Sequence, residues 1–358
     1  MPHFAPRPRS RQPRAMPRDD EDEDEDEDAR DSALTAACRC RWIVNVATWT
    51  PADAEFECIL ALLPTHERDA VRRFRRFDDR KRAVVSRLMQ RACIMRACET
   101  SSEARWRRVR FDALDVRRTK GSKPFHGGRL ALTHAPNFNY NVSHEGDYVV
   151  LASETHAVVG VDVAAPGQVR AVTSGAGTAR DVGTLLETFK SVLTDRERAV
   201  IEEKTRRDGE RAGEELFRKH WSLKEAHVKA IGVGLGMDLR RCEFRIEDVD
   251  AETSTARVVV DDVVRDDWAF STQAFPPGGK DGPSANAHWI SVSRGPISDI
   301  VDANGEFLDV VFAERRFTED AWRDILSAPA PPFELLTVGD LIPKEHRDEF
   351  EVNGGELF

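Results

Sequence analysis

No stretch of the sequence approaches the roughly 18 consecutive apolar residues of a membrane-spanning helix, so an integral membrane protein is not expected. The N-terminus carries no hydrophobic signal core. The six cysteines (Cys38, Cys40, Cys58, Cys93, Cys98 and Cys242) form no Cys-x-x-Cys pair, which speaks against zinc and thioredoxin-like redox sites. They read as reduced thiols of a cytoplasmic, cytosolic protein. No short tandem repeat and no DNA- or RNA-reading motif is present. Most of the chain also lacks net charge. There are 53 bases against 63 acids, a net of −10, but Asp19 to Asp28 are ten consecutive acids and the remainder sums to zero.

What is present fits a globular chain. The 358 residues are 40% hydrophobic and 32% charged, enough to bury a core. At about 100–200 residues per domain, this predicts two domains, or one with tails. Residues 1–18 hold five arginines and no acid, a transit-peptide composition that the acidic run directly after them argues against. Residues 1–40 read as a tail, disordered to about residue 38, because such a composition cannot offset its ordering entropy. Trp42–Trp49 reads as a strand bounded by Pro51, residues 53–63 as a helix, and 66–98 as a long basic helix broken near Asp78-Asp79. Residues 148–152 and 158–162 read as two strands joined by a short turn. A flexible loop is expected over 167–183, helix over 184–231, then strands to Ser293 interrupted by a loop at 276–287. The order strand, helices, strands, then helices and strands again, predicts an α+β chain of two similar halves, 41–163 and 164–295. Residues 296–358 read as an extension with little periodicity before Leu335.

Four constellations carry chemistry. In residues 217–232 a helix puts Phe217, Trp221, Val228 and Ile231 on an apolar stripe and Glu225 and Lys229 on one face, four apart, before Gly232 ends it. Taken alone, this is equally an ordinary amphipathic helix. Gly160-Val161-Asp162-Val163 places a carboxylate at the end of a buried strand, which calls for a charged partner or a cap. A hard cation such as Mg²⁺ takes oxygen ligands, and Asp162, Glu225 and Glu145 are candidates. Arg118-Thr119-Lys120-Gly121-Ser122-Lys123, with Asn141-Val142-Ser143-His144, suits a polyphosphate or a solvated turn. Arg68–Arg91 holds ten bases and three acids, a net of +7. It reads as a solvated helical face, a nucleic-acid surface or a surface for an acidic protein. Sparse aromatics weaken the nucleic-acid reading.

Together, RRTKGSKP (117–124), PNFNYNVSHEGDYVVLASE (136–154), VGVDV (159–163) and FRKHWSLKEAHVKAIGVGLGMDL (217–239) resemble the surfactin-type 4′-phosphopantetheinyl transferases, most closely their animal members, over residues 41–294. The resemblance implies a pseudo-dimer of two α+β halves with the active site between them. It implies transfer of the phosphopantetheine arm of coenzyme A to a serine of an apo carrier protein, releasing adenosine 3′,5′-bisphosphate. It places Mg²⁺ on Asp162 and Glu225, and coenzyme A along Arg118–Lys123, Asn141–His144 and Glu225–Lys229. Two departures stand out. A second acid that many bacterial members carry after the metal aspartate is Ala164 here, and Glu145 is the candidate replacement. A coenzyme-contacting arginine of the animal members is replaced by Ala70, with Arg68 or Arg72 as possible substitutes.

On this reading Glu225, directly or through water, is the first candidate general base and Glu145 the second. Lys229 and His144 offset charge on the leaving phosphate. The +7 stretch would steer an acidic carrier protein. A monomer is expected, with no membrane or nucleic-acid partner. The alternative is an inactive coenzyme A-binding relative or an arginine-rich nucleic-acid module. The sequence does not distinguish fatty-acid, polyketide, peptide-synthetase and aminoadipate-reductase carriers.

Overall fold

Two long helices, each laid across its own sheet, organise the chain. The computed structural model describes residues 31–130, 132–167, 181–278 and 282–357. In the first half, helix α1 (31–37) leads into β1 (Arg41–Asn45), followed by α2 (Asp53–Ala61), α3 (Thr65–Arg72), α4 (Phe77–Thr100) and the short α5 (Ala104–Arg107). A small ribbon of β2 (Val116–Arg118) and β3 (Pro124–His126) precedes β4 (Asn139–Glu145) and β5 (Tyr148–Glu154). The second half holds β6 (Val158–Ala164), α6 (Val182–Thr188), α7 (Asp195–Asp208), α8 (Glu210–Ile231), β7 (Cys242–Asp248), β8 (Thr253–Val260), β9 (Val263–Phe275) and β10 (His288–Gly295). The chain continues through α9 (Glu306–Val311), α10 (Glu319–Ser327), β11 (Glu334–Leu336) and α11 (Arg347–Val352). The first sheet has the order β11-β1-β5-β4 and the second β6-β10-β9-β8-β7. Helix α4 buries Val84, Val85, Leu88 and Met89 against the first core, and α8 buries Leu223, Ala230 and Ile231 against the second.

Four expectations change. Residues 31–37 are helical rather than disordered: Thr35 donates to the His134 carbonyl and Cys38 is buried, so apolar contact offsets the ordering cost. Residues 1–30 lie outside the described residues, as do 168–180 of the expected loop and 279–281 of the insertion. The break in the basic helix falls at 73–76. Asp78 and Asp79 instead occupy the first turn of α4, where the helix dipole favours acids. β5 and β6 are not a hairpin. β6 enters the second sheet beside β10, with Asp162 opposite Ser291. Residues 296–357 are not a pendant extension. Phe307 and Phe312 join the second core, Val338, Leu341, Ile342 and Phe350 the first, and β11 pairs parallel with β1, Ile43 opposite Leu335.

The edges β4 and β6 meet through asparagine side chains. Asn139 Oδ1 accepts from the Val159 amide at 3.0 Å while its Nδ2 donates to the Ala157 carbonyl at 2.8 Å. Asn141 Oδ1 accepts from the Val161 amide at 3.0 Å. Asn137, two residues earlier, donates to the carbonyls of His156 and Glu314. Alternate residues of a strand share a face, so Asn139 and Asn141 lie side by side on β4. Asn139 and Asn141 satisfy the buried β6 amides of Val159 and Val161, which would otherwise cost the full desolvation penalty.

Candidate active site

Asp162 is 5% exposed and lies near the end of β6. Gly160, two residues earlier, lets α8 approach, since a Cβ there would lie 2.0 Å from the Ala226 carbonyl oxygen. The close helix brings Lys229 Nζ to 2.5 Å from Asp162 Oδ1. Ser143 Oγ donates to the same oxygen at 2.8 Å and accepts from Lys229 Nζ at 2.8 Å. Residues from both sheets and from α8 thus meet at one carboxylate oxygen.

Glu225, one turn before Lys229, is half-buried and accepts no hydrogen bond from the described residues. Burial, then the charge of Asp162, raises its carboxyl above the usual range, with Lys229 acting in the opposite sense. Glu145 Oε2 accepts from the Ala165 amide at 2.7 Å. Burial pushes Glu145 up to about 7, and Asp162 adds to the rise. His144 keeps solvent access but is crowded by protein on most sides. Desolvation, then the cations Lys229 and Arg82, hold its imidazole down at about 4. The neutral imidazole offers a hydrogen bond near neutral pH.

A cavity of about 630 Å³ opens beside this cluster. Arg118, Lys120, Gly121, Ser122, Lys123, Asn141, Val142, Glu225 and Lys229 line it, as the sequence suggested. Thr119, Ser143 and His144 do not appear in its wall. Thr119 Oγ1 instead accepts from the Lys123 amide and tightens the loop. That loop seats on the end of α8, where a Cβ on Gly121 would lie 1.8 Å from the Gly232 carbonyl oxygen. Lys123 lines the wall with a fully buried ammonium, which donates to the Val159 carbonyl at 2.6 Å and that of Lys229 at 3.2 Å. Burial lowers its pKa to about 7. Its amine is a strut between β6 and α8 rather than a free phosphate contact. Asn141 likewise engages β6 with its side chain.

The expected Glu225–Lys229 span brings Val228 to the wall, and sequence reasoning missed the apolar residues beyond it, Val233, Met237 and Leu239. Their signal was there: apolar residues just past a helix that ends in a left-handed glycine, Gly232. Both proposed substitutes at the Ala70 position are engaged elsewhere. Arg72 pairs with Glu57 and Arg68 bonds Thr65. The charges of Arg82 and Arg87 are the ones from this stretch that reach His144, and Arg87 also feels Arg118.

The donor set fits a hard divalent cation in kind. All three carboxylates are oxygen donors, and the charge of Asp162 burdens both Glu225 and Glu145. Among the described residues no group of three or more His, Cys, Asp or Glu is already gathered at metal-binding geometry.

Two family models match the chain in tandem: that for the 4′-phosphopantetheinyl transferase N-terminal domain over residues 47–156, and that for the 4′-phosphopantetheinyl transferase superfamily over residues 158–285. The chain belongs to this superfamily and is a phosphopantetheinyl-transferring enzyme. It is similar to the L-aminoadipate-semialdehyde dehydrogenase-phosphopantetheinyl transferases of Mus musculus and Homo sapiens, each 30% identical over 300 residues, 81% of this chain and 86% of the relative. It is also 33% identical to a phosphopantetheinyl transferase of a Thraustochytrium species over 210 residues, 58% of this chain and 65% of the relative.

Proposed function

We propose that this protein transfers the 4′-phosphopantetheine arm of coenzyme A to a serine of an apo acyl or peptidyl carrier protein in a Mg²⁺-dependent reaction. The observation that carries this is the convergence of Asp162, Glu225, Lys229 and Ser143 beside a cavity with one cationic and one apolar wall. In the step, serine Oγ forms a bond to the phosphorus of the pantetheine-bearing phosphate. The bridging P–O bond breaks, its electron pair leaving on adenosine 3′,5′-bisphosphate. Glu225 takes the serine proton, with Glu145 as the second candidate. Lys229 and the hydrogen-bonding His144 face the charge that develops on the leaving phosphate. Arg118, Lys120 and the loop amides hold the phosphates, while Val228, Val233, Met237 and Leu239 exclude water. Asp162 and Glu225, with Glu145 as a third ligand, would hold Mg²⁺, which when bound neutralises charge across the pyrophosphate. No helix in the described residues is long and apolar enough to cross a membrane, and we place the reaction in the cytosol, by a monomer.

Intact-mass analysis of an apo acyl carrier protein incubated with this protein, coenzyme A and Mg²⁺ tests the reading. A phosphopantetheine adduct is expected, lost with EDTA and in Glu225→Ala. No adduct on carriers from fatty-acid, polyketide, peptide-synthetase and aminoadipate-reductase systems would leave a coenzyme A-binding relative as the better reading.

A further inference from the structure

The structure divides the arginine-rich stretch 68–91 into three groups with different work. Lys81 and Arg91 are buried: Lys81 donates to the carbonyls of Val46 and Trp49, and Arg91 pairs with Glu67 and caps the carbonyls of Phe111 and Leu114. Arg82 and Arg87 lie where their charges bear on His144. Arg68 and Arg80 make local bonds, to Thr65 and to the Phe74 carbonyl, and the third group is the connection between α3 and α4, Arg72-Arg73-Phe74-Arg75-Arg76-Phe77, six consecutive exposed residues. Arg73, Arg75 and Arg76 have no carboxylate partner among the described residues. Phe74 and Phe77 are 43% and 42% exposed. Phe77 keeps one edge against Phe56, with ring centroids 5.0 Å apart, and Arg80 Nε fixes the Phe74 carbonyl at 2.8 Å. The segment is therefore held in place while its cations and rings face outward.

Its position links it to the site. Arg82, five residues or about 7.5 Å of helix rise beyond Phe77, donates to the Gly146 carbonyl in the turn that follows Glu145. A macromolecular acceptor whose serine enters the cleft must touch the surface around its mouth. Resting on the transferase reading above, we infer that residues 72–77 are a docking surface for the acceptor protein, and that they take an acidic helix with an apolar stripe. The arginines meet its carboxylates and Phe74 and Phe77 its apolar residues. Such rim charge acts mainly on encounter and partner choice.

The chain's own acids, Asp19 to Asp28, are the competing occupant, and tether length disfavours them. Thr35 is held at His134, whose ring meets Thr100 at 2.9 Å, at the far end of α4 from Phe77. A 24-residue helix is about 35 Å long. The middle of the acidic run lies about eight residues from Asp31, a reach of at most ~28 Å fully extended, and only its first acids, about ten to twelve residues away, could span the helix.

The test uses the full chain with Arg73→Gln, Arg75→Gln and Arg76→Gln combined, an apo acyl carrier protein and saturating coenzyme A. We expect the carrier KM to rise at least about tenfold, the effect of roughly 1.4 kcal/mol, with the coenzyme A KM and kcat within twofold. Unchanged coenzyme A parameters also show that the variant is folded. Phe74→Ala alone should raise the carrier KM several-fold. Transfer with an unchanged carrier KM in the triple variant would overturn the surface alone. So would an effect that vanishes once residues 1–30 are removed, which would give the patch to the acidic run. So would loss of single-stranded RNA binding with the carrier KM intact. No adduct from the unsubstituted chain would remove the transferase reading, and this surface with it.

Discussion

The two halves use the same device, a long helix laid across a sheet, and put it to opposite electrostatic use. In the first half α4 supplies Arg82, bonded to the Gly146 carbonyl, and Arg87, and the charges of both bear on His144. In the second, α8 and β6 supply Glu225, Asp162 and a single outward lysine, Lys229. Each half alone has one sign of charge in excess at the junction. Together they make a place where a polyphosphate, and a cation bridging it, are both balanced. Helix α8 repeats the lesson within one element. Lys224 and Lys229 lie five residues apart, off one another's face. Lys224 is completely buried, paired with Glu197 at 2.9 Å and bonded to the carbonyls of Leu239 and Cys242, while Lys229 faces the site.

The sharpest way to break the comparison is to remove charge from each half in turn. Asp162→Asn or Glu225→Gln should lower kcat by about 10²–10³-fold, the usual result of losing a group that stabilises developing charge. Arg87→Met should raise the coenzyme A KM only about tenfold, or ~1.4 kcal/mol. Steady-state kinetics on a carrier protein would check both, and equal effects would end the division of labour. Next in size, Lys224→Met should cost about 3–5 kcal/mol in urea unfolding, because it strands a buried Glu197 carboxylate. Lys229→Met takes a half-buried lysine from the buried Asp162, which keeps Ser143 as a donor, so it should cost less, about 1–3 kcal/mol, and abolish transfer.

The junction itself is open to a smaller test. Asn139→Leu leaves the Val159 amide and Ala157 carbonyl unmet, and should lower stability by about 2–3 kcal/mol. Finally, Glu145 sits at about 7 because of burial. A carboxylate accepts a proton only when ionised, so with Glu145 as the base kcat/KM should fall as pH drops through about 7. Glu145→Gln should erase that limb if Glu145 is the base, whereas an intact limb would leave Glu225 in that role.

The sequence made some of this legible and hid the rest for physical reasons. Helical spacing paired Glu225 with Lys229, and the acid after Gly160-Val161 announced a buried carboxylate. Periodicity states which residues share a face but not what that face meets. Lys224 and Lys123 therefore gave no sign of being internal struts. The short connection between β5 and β6 resembles a hairpin turn, yet β1 and β4 take both edges of β5, so β6 pairs with β10 and meets β4 only through Asn139 and Asn141. No local pattern reports a bond between an amide side chain and a strand twenty residues away. The stripe on α8 also splits: Phe217 and Trp221 pack toward α6 and α7, Ile231 joins the second core, and Val228 lines the cavity.

The pairing of β1 with β11 has a consequence for how the molecule is made. Trp42 lies opposite Glu334, so a strand that leaves the ribosome early waits for one that emerges almost three hundred residues later. Contacts of such separation form slowly. The second sheet is wholly synthesised before the first can close its outer edge. During that interval the edge of β1 is free to pair with other chains. Loss of residues beyond about 330, by a premature stop or by proteolysis, would prolong that exposed state indefinitely while leaving Asp162, Glu225 and Lys229 in the chain.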